Sequence, residues 1–224
     1  VIDLGAVLRP VVAALEASGA GYVIVGSTAA AAWGVARTTR DVDLVATISG
    51  DIGRRFLEVL DDSELYVPTT EALRTIETSG SFNILHPTTG GKVDVFVSSD
   101  AFARERIERR IRGEAVGVPA WLATAEDVVL AKLVWRRESR SETQWRDCAE
   151  IVAVQELDRE YLRRWGVELN ITEDLESLLT EVGRHTGCLR TNLTGATILA
   201  SVLFGHVQRR GSDQQPGDHH RRRG

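Results

Sequence analysis

Two apolar runs in this chain carry acidic residues at positions where a sheet would bury aliphatic side chains, and few folds tolerate that. In Asp41-Val42-Asp43-Leu44-Val45, two carboxylates alternate with valine and leucine. In a strand, side chains two apart leave the same face, ~7 Å apart at ~3.3 Å per residue. The run Lys92-Val93-Asp94-Val95-Phe96-Val97 puts a third carboxylate in the same kind of setting. An ionised group in a strand of buried character is costly unless it is paired or ligated. Asp41 and Asp43 repel one another, and a divalent cation reverses that repulsion. Magnesium takes a small number of carboxylates together with water and phosphate oxygens. A pair of ions ~3.5–4 Å apart needs carboxylates that bridge both, usually with one more on a neighbouring strand, and Asp94 is the candidate. A solvated acid pair on an exposed edge strand is the competing explanation, because the two-letter motif is short.

The context of the acids narrows the choice. Leu4, Leu8, Val11, Val12 and Leu15 form one helical stripe over Leu4–Ala17, although Pro10 could move the helix start later. Tyr22–Val25 reads as a buried strand, and Gly26-Ser27 then turns the chain into an alanine-rich helix, Thr28–Trp33, with Ser27 as its N-cap. Free backbone N–H groups at such a turn make an anion site, to which the Ser27 hydroxyl could add. Asp41–Ile48 returns to strand character. A helix over Ile52–Leu60 and an irregular acidic stretch follow. Ser81–His86 and Lys92–Val97 read as a hairpin across a Pro-Thr-Thr-Gly-Gly turn. Asp100–Arg112 looks like an exposed arginine-rich helix, and Glu114–Val118 like a short edge strand.

From Thr124 the pattern is helical: Thr124–Arg137, Ser141–Val154, Asp158–Trp165 and Thr172–Val182, with capping-like starts at Thr124 and Ser141. Strands and helices mix in the first half and helices dominate the second. The fold class expected is α+β, with a mixed sheet flanked by helices and followed by a helical C-terminal half, the boundary lying near residue 120. Thr191–Arg210 could form a further apolar helix. The polar stretch Gly211–Gly224, with His219 and His220, has the composition of a disordered tail.

With 224 residues the chain can bury one core, or one core with a helical appendage. No stretch reaches the ~20 apolar residues of a membrane span, and no secretory signal is visible, so a cytoplasmic protein with no membrane partner is expected. Cys148 and Cys188 match neither a disulfide framework nor a zinc spacing and read as packing residues or inert thiols. The net charge of -5 gives no global basic signature for nucleic acid. Only two of the 27 basic residues are lysines, Lys92 and Lys132.

Taken together, Val25-Gly26-Ser27, then Asp41-Val42-Asp43, then Asp94 resembles the signature of the polymerase-beta nucleotidyltransferase superfamily. Arg37-Thr38-Thr39-Arg40-Asp41-Val42-Asp43-Leu44, together with Ala125-Glu126-Asp127-Val128-Val129-Leu130-Ala131-Lys132, Ser141-Glu142 and Arg146-Asp147, resembles its AbiEii-like branch. The similarity spans about residues 20–170. That branch includes toxins of toxin–antitoxin systems, some of which transfer nucleotides to tRNA 3' ends. With the boundary read from the pattern, the resemblance makes 1–120 a nucleotidyltransferase catalytic domain and 121–182 a helical subdomain, while 183–210 is an unassigned segment that matches nothing in the family and 211–224 is the polar tail. It implies a nucleoside triphosphate substrate held by Gly26 and Ser27, and two Mg²⁺ ions bound by Asp41 and Asp43. Asp94 would ligate the ion nearest the attacking hydroxyl and help deprotonate it. Lys132 and Asp147 fit the places of a lysine and a later aspartate that complete the branch's site. An acceptor such as tRNA or protein, and an antitoxin partner, are further implications.

Other readings of these residues stay open. Lys132 also fits a surface lysine that lays its stem along a helix, and Asp147 could pair with Arg137 on the neighbouring helix. Arg37 and Arg40 flank the acidic strand and could bind triphosphate or an RNA phosphate. Arg104, Arg106, Arg109, Arg110 and Arg112 form a basic run that could meet RNA, or a solvated face balanced by Glu105 and Glu108. Trp121, Trp135, Trp145 and Trp165 read as core or helix-interface residues. A catalytically silent nucleotide-binding or protein-interaction module is the main functional alternative. A manganese-dependent sugar transferase using a D-x-D pair is a weaker one, since it needs neither Gly26-Ser27 nor Asp94.

Overall fold

The computed structural model describes residues 2–192, with side chains described as far as 184. Six strands form one mixed sheet in the order β3-β4-β2-β1-β6-β5. They are β1 (Gly21–Ile24), β2 (Val42–Thr47), β3 (Gly80–Leu85), β4 (Lys92–Val97), β5 (Ile111–Ala115) and β6 (Val118–Leu122). β2 runs parallel to β4 and β1 parallel to β6, while β1–β2, β3–β4 and β5–β6 are antiparallel. The class is α+β, with helices on both faces of the sheet.

Alternation along the central strands sorts their side chains between two cores. Val42, Leu44 and Ala46 of β2 and Val93, Val95 and Val97 of β4 enter a cluster with α1 (Leu4–Ser18), α3 (Gly50–Asp61) and α4 (Thr69–Thr78). Val23, Val25 and Val45 face the other way. They pack with α2 (Gly26–Ala32), α5 (Ala101–Arg109), α6 (Ala125–Ser139), α7 (Glu142–Val154), α8 (Arg159–Glu168) and α9 (Thr172–Asn192). The helical half therefore shares a core with the sheet. Because Asp43 is two residues from Val45, and Asp94 two from Phe96, the acids lie on this second face.

Several elements differ from the sequence reading. α1 begins at Leu4 despite Pro10, with the Asp3 carboxylate accepting from the Ala6 N–H. Pro10 removes one helical hydrogen bond, and burial of Val7, Leu8, Val11, Val12 and Leu15 outweighs that loss. Ser27 is not an N-cap: the helix starts at Gly26, Val25 occupies the cap position, and no side chain caps it. The acidic stretch after α3 contains α4, which buries Ala72, Thr75 and Ile76. The edge strand expected at Glu114–Val118 is a hairpin, with Val116 and Gly117 at φ 47° and 78° forming the turn between β5 and β6. Two consecutive positive φ values fit a two-residue hairpin loop, normally Asn-Gly, so a valine there hides the turn from a sequence reading. α9 runs past Val182 to Asn192. The expectations for Cys188 and for the stretch beyond Asn192, including the tail 211–224 with His219 and His220, lie outside the described side chains. Among the described residues no helix is long and apolar enough to cross a membrane.

Candidate active site

The acids meet because of strand register. β2 and β4 are parallel neighbours in which Asp43 pairs directly with Asp94. Asp41 stands one residue before β2, where Thr39 Oγ1 donates to its carbonyl at 2.9 Å and to its Oδ1 at 3.3 Å. The end of β1 is tied to the same place, since the Val25 N–H donates to the Asp43 carbonyl at 2.9 Å. The next residue, Gly26, lies over Asp43: its φ is +63°, and a Cβ there would stand 2.1 Å from Asp43 Oδ2. Glycine is required here both for the backbone angle and for the space.

Lys92 belongs to this group, a membership the sequence reading missed. Its ammonium donates to Asp94 Oδ2 at 2.7 Å and stands 3.3 Å from Asp41 Oδ2. The hydrogen bond to Asp94 raises the Lys92 pKa. Lys92 precedes Asp94 by two strand residues, so period two alone places it on the acidic face. The other oxygen of Asp94, Oδ1, is buried and has no hydrogen-bond partner. Asp43 is pushed up to about 6, first by burial and then by the negative charges of Asp41 and Asp94, with Lys92 and Lys132 opposing. Of the three carboxylates, Asp41 and Asp94 contact the Lys92 ammonium, and one buried oxygen, Asp94 Oδ1, is unsatisfied. Among the described residues no cluster of three or more His, Cys, Asp and Glu side chains is already arranged to hold a metal ion. The donor set nevertheless fits a hard cation, provided that Lys92 withdraws from between Asp41 and Asp94.

A second polar group stands behind the first. Lys132 is only 4% exposed and so is no surface lysine. Its ammonium donates to Asp147 Oδ2 at 2.8 Å and to Gln144 Oε1 at 3.0 Å. Arg37 also donates to Asp147 Oδ2, at 3.1 Å. Asp147 therefore pairs with Lys132 and Arg37, and not with Arg137, which donates to the carbonyls of Leu169 and Asn170. This cluster ties the segment leading into Asp41 to α6 and α7. Arg40 is exposed and does not line the cleft.

A cleft of about 390 Å³ opens over these groups, lined by Gly26, Ser27, Asp41, Asp43, Asp94 and Lys132, with Phe96, Trp135 and Gln144 among the rest. The helix expected to reach Arg112 ends at Arg109, Arg112 lies on β5, and the arginine run does not form a free basic face. Arg106 lies over the Phe102 ring, Arg109 over Tyr161 and Arg110 over Trp121. Arg104 bonds the Ser99 carbonyl and Arg112 pairs with Glu16. Cys148 is buried, which pushes its thiol up to about 12, so it is the inert packing residue expected.

Comparison with family models and with curated protein sequences finds no match. Among solved structures, the chain is similar to an antigenic nucleotidyltransferase-like protein from Paracoccidioides brasiliensis, at 16% identity and a TM-score of 0.47, over 80% of this chain and 93% of that one. It is also similar to the antibiotic-resistance factor ANT(2'')-Ia, at 15% identity and a TM-score of 0.37, over 83% and 94%. A third likeness is to JHP933 from Helicobacter pylori, at 12% identity and a TM-score of 0.35, over 84% and 96%. The chemistry of the cleft rests on its own side chains.

Proposed function

We propose that this protein is a metal-dependent nucleotidyltransferase that moves a nucleoside monophosphate from a nucleoside triphosphate to a hydroxyl acceptor. The observation that carries the reading is the pairing of Asp43 with Asp94 across parallel strands, with Asp41 joined to Asp94 through Lys92. Asp41, Asp43 and Asp94 would hold Mg²⁺, and the unpartnered Oδ1 of Asp94 is an oxygen free to ligate or to accept a proton. Bound Mg²⁺ would lower the pKa of the attacking hydroxyl and offset charge on the leaving oxygens.

The chain's own part is positioning. Gly26 and Ser27 line the cleft beside Asp43 and present a backbone N–H and a hydroxyl to the triphosphate. Lys132, held by Asp147 and Gln144, directs positive charge toward the same space. Arg37 acts through Asp147 and keeps the approach to Asp41 in place. The acceptor oxygen attacks the α-phosphorus, the bond from that phosphorus to the bridging oxygen of the β-phosphate breaks, and pyrophosphate leaves. The hydroxyl proton passes to Asp94 and then to solvent. The proposed acceptor is RNA, such as tRNA, or protein, and the resemblance to AbiEii-like toxins extends the proposal to an antitoxin partner.

One observation favours the silent module as a second reading: Lys92 already supplies a cation between Asp41 and Asp94. Incubation with labelled nucleotides, Mg²⁺, cellular RNA and lysate separates the two, because a module binds nucleotide and labels nothing. Asp41→Ala and Asp43→Ala are each expected to abolish labelling while remaining folded. Labelling retained by both variants overturns the assignment.

A further inference from the structure

The sequence reading put Trp135 with the packing tryptophans, and the structure separates it from them. Trp33 donates its Nε1–H to the Ala123 carbonyl at 2.9 Å. Trp121 lies beneath Arg110 and Arg112, Trp145 beneath Arg136, and Trp165 packs against Phe102. Among the described residues Trp135 has no ring partner and no side-chain hydrogen bond, and it is 58% exposed. An indole exposed in the wall of a cleft is a large apolar surface available to a ligand.

Its location says what that is. Val128, Ala131, Lys132 and Trp135 follow one stripe of α6, and all four line the cleft over the acids. Trp135 stands about 4.5 Å along the helix axis beyond Lys132. Across the cleft, Phe96 is two strand residues beyond Asp94 on the same face and is 36% exposed. The cleft thus has a polar part, made by Gly26, Ser27, the three aspartates and Lys132, and an aromatic part made by Trp135 and Phe96. A nucleoside triphosphate has the same division, with phosphates at one end and a planar base at the other.

We infer that Trp135 is the stacking platform for the nucleobase of the triphosphate, an inference that rests on the nucleotidyltransferase reading. Stacking engages the face of a ring and not its hydrogen-bonding edge, so every base is accepted and the larger purines bind more tightly. The test is calorimetric titration of the wild type, Trp135→Ala and Trp135→Phe, in Mg²⁺, with an α,β-methylene ATP analogue and with tripolyphosphate, which has no base. Trp135→Ala is expected to weaken analogue binding about tenfold or more, to leave tripolyphosphate binding unchanged, and to be largely rescued by Trp135→Phe. Unchanged analogue affinity in Trp135→Ala, or equal loss of both ligands, overturns the platform. Failure of the wild type to bind either ligand overturns the nucleotide reading and the platform with it.

Discussion

At position 26 the backbone has a φ of +63°, and an added Cβ would stand 2.1 Å from Asp43 Oδ2. Gly26→Ala is therefore expected to destabilise the protein by about 2 kcal/mol through left-handed strain and displacement of the carboxylate, measured by denaturant unfolding. Asp43 makes a second prediction. Its folded pKa, about 6, lies above the usual carboxylate value of 3.8, so between those pH values the native state holds more protons than the unfolded one. The Asp43 contribution to stability in EDTA then falls as pH rises from about 4 to about 6, by roughly 2–3 kcal/mol. The wild type should lose that much more stability than Asp43→Asn over this range, and parallel pH profiles of the two proteins contradict the cause given. Lys92 opposes the same charges, and Lys92→Gln is expected to lower stability in EDTA by about 1 kcal/mol. At this scale Asp41, Asp43 and Asp94 are readable from alternation alone, and Lys92 shares their period. That its ammonium would sit between Asp41 and Asp94 is not readable, because it depends on the register of β2 against β4.

Lys132 and Asp147 are brought together by the packing of α6 against α7, and Arg37 joins them from the segment before β2. Removing Asp147 leaves a buried ammonium with only Gln144 as partner. Asp147→Ala should therefore cost about 3 kcal/mol, with a double-mutant cycle against Lys132→Met recovering most of it. The hairpin β5–β6 offers the converse case. Val116 occupies a left-handed position that suits Asn or Gly, so Val116→Asn is expected to stabilise the protein by about 1 kcal/mol. The elements that a sequence reading finds most easily carry a strong local period, as α1 and β4 do. α4 is harder to read because its buried face is only Ala72, Thr75 and Ile76. The hairpin is hidden by a valine where turn chemistry would place asparagine. The partners of the arginines were out of reach for different reasons: Tyr161, under Arg109, comes from the distant α8, and Trp121, under Arg110 and Arg112, is brought opposite Arg112 by the hairpin that the sequence hid.

Over the whole molecule, one sheet divides two cores, and the acids lie on the face that the helical half covers. That arrangement lets α6 close a cleft over β2 and β4, with Lys132 beside the acids and Trp135 on the same helical stripe. A mixed sheet followed by helices is evident from the order of periodicities along the chain, whereas the cleft exists only once α6 has packed. Its proposed reaction splits a triphosphate between the α- and β-phosphates, which separates the fates of two labels. The decisive measurement supplies nucleoside triphosphates labelled at either the α- or the γ-phosphate, with Mg²⁺ and cellular RNA and protein as acceptors. The account predicts α-label on a macromolecular acceptor and γ-label released as pyrophosphate, both lost in Asp43→Asn and Asp94→Asn. γ-Label on the acceptor, or undiminished α-label transfer by those variants, would contradict it.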